Sequence, residues 1–274
     1  MGVTQTGLMV RGPFETTAGE AFLLTGPEAA TLTDRVLRGR PEDGSGPLRA
    51  RAGTVYLDGA GEPAVQVMGS YFWPDTSGLY RAAMSCRALR ACLFPDGETR
   101  LAPTISGTSL AWITLSDKGA AGKRTDESGP LIADMLAERV PVSVVRGQVI
   151  PDDADLLRSL LTDLALNQGY DLVVTTGGTG LGPRDFTPEA TLAVIDKRLP
   201  GFEAAMLAAS LAKTPHGAIS RAVVGTLGAS IVINLPGSPK AVRENFAAVL
   251  PAVRHALDKL QGDPSDCATV ARQG

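Results

Sequence analysis

The chain has 274 residues, of which 44% are hydrophobic and 20% charged, a balance typical of folded globular proteins and not of disordered chains. Its 26 basic and 29 acidic side chains give a formal net charge of −3, so whole-chain electrostatics favour neither nucleic acid nor an anionic membrane as a partner. No apolar run approaches the roughly 20 residues of a membrane span, and the first residues lack a secretory signal. Three cysteines without C-x-x-C spacing favour reduced thiols, and we therefore expect a cytoplasmic protein.

The distribution of basic residues predicts two segments. All six lysines lie at or after Lys118, whereas residues 1–105 hold ten arginines and no lysine. We therefore expect an N-terminal domain over 1–105, a second domain over 106–262 and a flexible tail over 263–274.

The first segment lacks a regular pattern. Short extended runs at 54–57 and 64–68 are broken by Gly and Pro, and helices are predicted over about 27–38 and 78–93. These signals indicate a small mixed α+β or β-rich domain. Cys86 and Cys92 are read either as two buried small hydrophobic residues or as a thiol site.

From Ser109 onward, predicted strands and helices alternate. The strands are at 109–116, 142–150, 170–177, 222–227 and 229–235, and the helices at 126–138, 151–166, 187–199, 201–213 and 239–260, the last with a kink at Pro251. This order predicts an α/β fold with a mostly parallel sheet flanked by helices in three layers, similar to a Rossmann fold. Ligands of such sheets bind beyond the carboxyl ends of the strands, so the loops there are the candidate site.

The loop after the third strand carries the strongest signal, TTGGTGLGPRDFTPEAT at 175–191. Its glycines let backbone N–H groups approach a ligand, and the successive N–H groups of residues 177–180 are expected to form a nest for phosphate, helped by the helix N-terminus that follows. The loop lacks the Lys-Ser/Thr ending of a Walker A motif. Arg184 suits phosphate and Asp185 suits Mg²⁺, while the alternative is a plain tight turn.

The loops after the first two strands collect polar residues. In 116–130, Asp126 and Ser128 are also good helix N-cap types, and Lys123 and Arg124 either pair with phosphate or are solvated. In 151–155, dipole complementarity alone would explain the acidic residues at a helix N-terminus. Asp152 stands out because it is predicted at the same sheet edge as the 175–191 loop.

The loop NLPGSPKAV at 234–242 precedes the last helix. Gly237 gives backbone access, Ser238 is a predicted cap, and Pro239 a predicted first helical residue. Lys240 would then lie in the first turn, where a cation is unfavourable unless an anionic ligand or a surface salt bridge holds it.

Residues 109–262 resemble the molybdopterin adenylyltransferase family, of the MogA/MoaB and gephyrin G-domain type. The matching motifs occur in the family's order: SD at 116–117, DESGP at 126–130, TTGGTG at 175–180, RDFTPEA at 184–190, PGF at 200–202, SR at 220–221 and LPGSPKAV at 235–242. The CinA-type proteins are less similar, because the RD-x-TPEAT stretch follows the transferase pattern. Residues 1–105 match no family pattern that we recognise.

The resemblance implies that molybdopterin and Mg²⁺-bound ATP bind at the carboxyl edge of the sheet, and that the product is adenylylated molybdopterin. It implies a homotrimer and a molybdate-inserting partner protein. It assigns catalysis and the metal to Asp152 and Asp185. The substrate-binding residues that it implies are Ser116, Asp117, Asp126, Ser128, Gly129, Thr176, Gly177, Gly178, Thr179, Gly180, Arg184, Ser220, Arg221, Pro236, Gly237, Ser238 and Lys240.

Two alternatives stay open from the sequence. The chain could be a molybdopterin-binding carrier or scaffold that does little chemistry, or a CinA-like hydrolase of nucleotides. The sequence also leaves open whether the downstream metal is molybdenum or tungsten.

Overall fold

Seven strands of the N-terminal part close into a barrel. The computed structural model describes residues 6–29, 35–44 and 47–264. The barrel strands are β1 (Leu8–Thr16), β2 (Ala21–Thr25), β3 (Val36–Pro41), β4 (Thr54–Leu57), β5 (Pro63–Pro74), β6 (Tyr80–Ala88) and β7 (Cys92–Ile105). Their order around the barrel is β1-β3-β2-β6-β5-β4-β7, and the long β7 pairs with both β1 and β4 to close it.

The prediction of helices in the N-terminal part is wrong. Tyr80–Ala88 is a strand between β2 and β5, in which Met84, Cys86 and Ala88 alternate into the barrel core. Ladder pairing and burial on one face outweigh the helix propensity of its Ala, Met and Arg residues. Within the range 27–38, β3 begins at Val36 and pairs with β1 and β2, while residues 30–34 lie outside the described residues.

The two described cysteines both contact the barrel core. Cys86 is fully buried, and this burial raises the pKa of its thiol well above the usual range. Cys92 is partly buried and packs against the same core. Cys267 lies outside the described residues. For Cys86, burial fits the prediction of a small hydrophobic residue, because a thiol that resists ionisation is a poor nucleophile.

The C-terminal part is an α/β sheet of six strands, the five that were predicted and a short edge strand that was not. The strands are β8 (Thr108–Leu115), β9 (Val142–Ile150), β10 (Leu172–Thr176), β11 (Lys197–Arg198), β12 (Val224–Leu227) and β13 (Ser230–Leu235). Their order is β11-β12-β13-β10-β8-β9. β9, β8, β10 and β13 are mutually parallel, β12 is antiparallel to β13, and β11 is antiparallel to β12. The mostly parallel sheet is therefore confirmed.

Helices cover both faces of this sheet. They are α1 (Asp117–Ala120), α2 (Ser128–Ala137), α3 (Ala154–Thr162), α4 (Thr187–Leu192), α5 (Pro200–Leu211) and α6 (Pro239–Leu260). A π-helical turn, Asp163–Asn167, continues α3, and a 3₁₀ turn, Pro215–Ile219, follows α5. The helix predicted over 187–199 is too long, because α4 ends at Leu192 and Lys197–Arg198 pairs with the edge strand β12.

Alternate residues of the central strands face two separate apolar layers. In β8, Leu110 packs with α2 and α6, whereas Ile113 packs with α3 on the opposite face. This alternation along parallel strands gives the three-layer arrangement. α6 continues through Pro251, while a kink at that residue stays a prediction. Within the described residues, no helix is both long and apolar enough to span a bilayer.

The barrel contacts the amino ends of the sheet strands. The backbone N–H of Ala52 donates to Gln168 O (2.8 Å), just before β10, and the Tyr170 hydroxyl donates to Met68 O (3.1 Å). The side chains of Arg51 and Asp171 form an ion pair across the same junction. The barrel therefore lies at the edge opposite the carboxyl-end loops. The division into domains at 1–105 and 106–262 stays a prediction.

Candidate functional site

The loops at the carboxyl edge converge on one cavity of about 520 Å³, here called the first cavity. Loops after β8, β9, β10 and β13 all contribute to its wall, as the parallel strand order predicts. The predicted residues that line it are Ser116, Asp117, Asp126, Ser128, Asp152, Thr176, Gly177, Gly178, Asp185, Gly237 and Ser238. The three stretches 116–130, 175–191 and 235–242 therefore meet at a single site.

Other predicted residues lie outside this lining. They are Gly129, Thr179, Gly180, Arg184, Ser220, Arg221, Pro236 and Lys240. Of these, Ser220 and Arg221 line a second cavity of about 490 Å³, between α4 and α5. The segment 219–221 therefore does not line the first cavity, contrary to the expectation that all the motifs would share one pocket. Its contacts with the glycine loop, defined here as residues 177–186, are described below.

Asp117 joins two of the loops that form the first cavity. Its Oδ1 accepts a hydrogen bond from the backbone N–H of Asp152 (3.1 Å). The guanidinium of Arg184 donates to the same Asp117 oxygen (2.8 Å) and forms an ion pair with the other. The hydrogen bond from the Asp152 N–H and the one from Arg184 lower the pKa of Asp117, so this carboxylate stays ionised.

Asp152 has the opposite electrostatic environment. Its partial burial raises the pKa of its carboxyl group, and the negative charges of Asp117 and Asp185 add to the rise. The positive charge of Arg184 offsets part of this effect. A carboxylate that is disfavoured by its neighbours gains from a bound cation, because the cation removes the repulsion.

Asp185 is held by the glycine loop. Its Oδ2 accepts from the backbone N–H of Gly182 (2.7 Å). A Cβ at Gly180 or at Gly182 would lie 2.9 Å from that oxygen, so both glycines make room for the carboxylate. Gly180 and Gly182 therefore have a packing role beside Asp185, in addition to the predicted role of giving a ligand access to the backbone.

The first glycine of the loop has a structural role. Gly177 has φ +101°, and a Cβ there would lie 2.6 Å from the Leu115 carbonyl oxygen. Its N–H donates to Leu235 O (3.1 Å). The prediction that the Gly177 N–H binds an anion is therefore wrong, because that donor is already used between the two strands.

The DESGP stretch folds as a helix start. Asp126 Oδ1 accepts from the N–H groups of Ser128 (3.1 Å) and Gly129 (3.2 Å), and its Oδ2 accepts from the Thr114 hydroxyl (2.8 Å). The capping interpretation therefore applies to Asp126. Gly129 packs against the ring of Trp112, where a Cβ would clash. The Ser128 hydroxyl donates to Gly237 O (3.0 Å), so this turn is tied to the last loop.

The last loop starts α6 as predicted. Ser238 Oγ accepts from the Ala241 N–H (3.3 Å), and Pro239 is the first helical residue. The Thr176 hydroxyl donates to Pro236 O (2.7 Å), which ties the loop to the end of β10. Among the residues that the structure describes, no carboxylate forms an ion pair with the exposed Lys240, so the salt-bridge alternative does not explain it.

Two cations of the first cavity stand outside the predicted site residues: Lys118 was not predicted, and for Arg124 phosphate binding or solvation stayed open. Lys118 and Arg124 both line it, and neither is in an ion pair within the described part of the chain. The other lining residues that sequence reasoning missed are Thr114, Leu115, Gly119, Thr125, Glu127, Val149 and Pro239. Most of them lie at the ends of β8 and β9 or in the loop after β8. Proximity to a strand's carboxyl end was the available signal.

The acidic residues fit a nucleotide-bound metal better than an all-protein metal centre. In the described ranges, no group of three or more His, Cys, Asp and Glu side chains is placed to hold a metal ion. Mg²⁺ at nucleotide sites usually takes one or two carboxylates and completes its shell with phosphate and water. Asp152 and Asp185 line the same cavity and interact electrostatically, so they could supply such a pair.

The matching family has the description "Probable molybdopterin binding domain", and its profile covers residues 111–255 of this chain. This chain belongs to that molybdopterin-binding domain family. The match begins within β8 and ends within α6, so the family's domain includes the whole first cavity and none of the barrel.

Individual relatives agree with this assignment. A molybdopterin adenylyltransferase of Helicobacter pylori strain J99 is 39% identical over 153 residues, which are 55% of this chain and 86% of the relative. Gephyrin of Dictyostelium discoideum is 38% identical over 161 residues, 56% of this chain but only 22% of gephyrin. The solved structure of the molybdopterin biosynthesis Mog protein from Mycobacterium ulcerans is 39% identical. It superimposes with a TM-score of 0.54 and covers 58% of this chain and 99% of that protein. The α/β fold is thereby confirmed.

Proposed function

We propose that this chain is a molybdopterin adenylyltransferase of molybdenum cofactor biosynthesis. It transfers the adenylyl group of ATP to the terminal phosphate of molybdopterin. The observation that carries the proposal is the convergence of the family's motif loops on one cavity, with two acidic residues that interact electrostatically and two cations that form no ion pair within the described residues. The names of relatives that are 38–39% identical over more than half of this chain support the same reaction.

The reaction needs little from protein acids and bases. A phosphate oxygen of molybdopterin attacks the α-phosphorus of ATP, a new P–O bond forms, and the bond to the β-phosphate breaks to release pyrophosphate. The attacking phosphate is already anionic near neutral pH, so positioning and charge neutralisation dominate. Neither His216 nor His255 lines the first cavity, which agrees with chemistry that uses no histidine base.

The residues of the first cavity divide into two roles. Lys118 and Arg124 bind the negatively charged phosphates, because no carboxylate of the described chain neutralises them. Asp152 and Asp185 would hold Mg²⁺, which when bound offsets charge on the nucleotide phosphates. The phosphate-binding role expected of Arg184 is less favoured, because its guanidinium already pairs with Asp117.

The wider assignments also belong to the proposal. We infer a homotrimer and a molybdate-inserting protein as the next partner, both from the family resemblance alone, and a cytoplasmic location. Light scattering of the purified chain tests the trimer, for which a mass of about three times 28.4 kDa is expected.

The test of the proposed function is pyrophosphate release from ATP and Mg²⁺ in the presence of molybdopterin. The Asp185→Asn variant keeps an acceptor for the Gly182 N–H and removes only the charge, and we expect its kcat to fall by about 100-fold or more. Asp155→Asn is the matched control, since Asp155 is exposed and, among the residues that the structure describes, its carboxylate pairs only with Arg158 on the surface of α3. A wild-type chain that binds molybdopterin but releases no pyrophosphate would be a carrier instead.

A further inference from the structure

Arg221 makes an unusual number of contacts with one short segment. Its backbone N–H donates to Thr179 O (3.0 Å), its Nε donates to Gly180 O (2.8 Å), and its Nη2 donates to Asp185 O (2.6 Å). The remaining guanidinium nitrogen forms an ion pair with Glu189, in the first turn of α4. One residue thus holds both ends of the glycine loop's turn and the helix that follows it.

These contacts set the direction of the loop's remaining donors. The peptide bonds of the loop are trans, so each C=O and the N–H of the next residue point in opposite directions. Because the carbonyls of Thr179 and Gly180 point to Arg221, the N–H groups of Gly180 and Leu181 point to the other side. Arg221 lines the second cavity, whereas Gly177, Gly178 and Asp185 line the first.

Every nitrogen of the Arg221 guanidinium has an acceptor within the protein. These acceptors are carbonyls and a carboxylate of the chain itself. A planar fork with several donors can hold carbonyls in fixed directions, which a single ammonium group cannot do. Arg221 therefore has the geometry of a residue that acts through the glycine loop.

We propose that Arg221 is a positioning residue for adenylyl transfer: by holding the carbonyls of Thr179, Gly180 and Asp185, it keeps the glycine loop and the Asp185 carboxylate in place at the first cavity without contacting substrate. This inference rests on the proposed function. It replaces the expectation, drawn from the family resemblance, that Arg221 binds substrate directly.

The first arm of the test needs no substrate. In the full-length chain, Arg221→Met removes the guanidinium donors, and we expect amide hydrogen exchange of the 177–186 peptide to accelerate by roughly 10-fold or more. Exchange in barrel peptides should not change. Unchanged exchange in the 177–186 peptide would overturn the proposal, whatever the activity.

The second arm is kinetic. For Arg221→Met we expect kcat to fall about 10- to 100-fold, with KM for ATP and for molybdopterin changing less than about 3-fold. Arg221→Lys, which retains the charge and serves if the Met variant fails to fold, should show the same split. An increase in either KM at unchanged kcat would instead place Arg221 in contact with substrate and overturn the proposal.

Arg198→Met is the matched control. Arg198 lines the same second cavity and pairs with a carboxylate, Glu203, but within the described chain its side chain forms no hydrogen bond or ion pair with the glycine loop. The Arg198→Met variant should change neither the hydrogen exchange of the 177–186 peptide nor kcat. Effects as large as those of Arg221→Met would contradict a specific role for Arg221. If the wild-type chain shows no turnover, the proposed function fails, while the exchange arm still decides whether Arg221 orders the loop.

Discussion

The Asp117 carboxylate accepts the backbone N–H of Asp152 at 3.1 Å, so a side chain of the first loop fixes the main chain of the second. This contact brings two negative charges close together at the rim of the first cavity, with Arg184 bonded to both residues. The hydrogen bonds favour the charged form of Asp117, whereas burial and, after it, the repulsion from Asp117 disfavour the charged form of Asp152.

Because its pKa is raised, we expect that removing the negative charge of Asp152 stabilises the folded chain, by an amount that depends on pH. The folded chain binds this proton more tightly than the unfolded chain, so stability from this group is present at low pH. It is lost as pH rises from the usual aspartate value of 3.8 through the raised folded pKa. At pH 7 we therefore expect Asp152→Asn to raise Tm, with a smaller difference near pH 4.

Thermal unfolding between pH 4 and 8 in the absence of Mg²⁺ and nucleotide measures this effect. Asp155→Asn serves as control, because its exposed carboxylate pairs with Arg158 and should give no such gain. A lower Tm for Asp152→Asn at pH 7, or a difference independent of pH, would contradict the electrostatic account of this residue.

Gly177→Ala should destabilise the loop that lines the first cavity. The residue has φ +101°, and a Cβ would lie 2.6 Å from a backbone oxygen of β8, which cannot move without disturbing the sheet. We expect a loss of about 1–3 kcal/mol in the free energy of unfolding, measured by urea denaturation. Gly201→Ala is the control, since Gly201 has open space around its Cβ position and lies in α5. An alanine tolerated equally at both positions would show that the backbone there is not constrained.

Removal of the two cations that line the first cavity should weaken ATP binding. Lys118→Met and Arg124→Met each remove a positive charge from the first cavity, and we expect KM for ATP to rise roughly 10-fold for each, with a smaller change in kcat. Lys213→Met, two residues after the end of α5 and outside the first cavity, controls for net charge. If the KM for ATP is the same in all three variants and the wild type, the phosphates bind elsewhere.

The junction between barrel and sheet depends on a nearly buried ion pair. The side chains of Arg51 and Asp171 are only 14% and 12% exposed, and Asp171 also accepts from Ser109 and Gln261. Arg51→Met leaves that carboxylate without its charge partner, so we expect a loss of about 3 kcal/mol in urea unfolding. Arg40→Met breaks an ion pair with Glu98 that is about half exposed, and should cost less than about 1 kcal/mol. Equal losses of unfolding free energy in the two variants would mean that burial does not govern the contribution of these ion pairs to stability.

The α/β part could be predicted because its signals are local. Buried parallel strands such as Leu172–Thr176 are continuous apolar runs, and α6 carries a cap at Ser238 followed by a proline. The barrel could not be predicted, because its strands depend on pairing with distant segments. Tyr80–Ala88 has residues that suit a helix, and only the ladders with β2 and β5 make it a strand.

The position of the candidate site also follows from topology, but its individual contacts do not. Parallel strands bring the loops after β8, β9, β10 and β13 to one edge, so the first cavity was predictable. The hydrogen-bond partners of Arg184 and Arg221 could not be predicted, because a long guanidinium side chain reaches residues far away in sequence. The use of the Gly177 N–H between strands likewise depends on the register of β10 and β13.

The most direct measurement is the product of the reaction. The chain is incubated with molybdopterin, Mg²⁺ and ATP labelled at the α-phosphate, and the pterin is analysed by mass spectrometry together with the released pyrophosphate. The account predicts labelled adenylyl-molybdopterin and pyrophosphate in equal amounts, both lost in Asp185→Asn and retained in Asp155→Asn. Unmodified molybdopterin after incubation with a folded wild-type chain that binds it would contradict the proposed reaction.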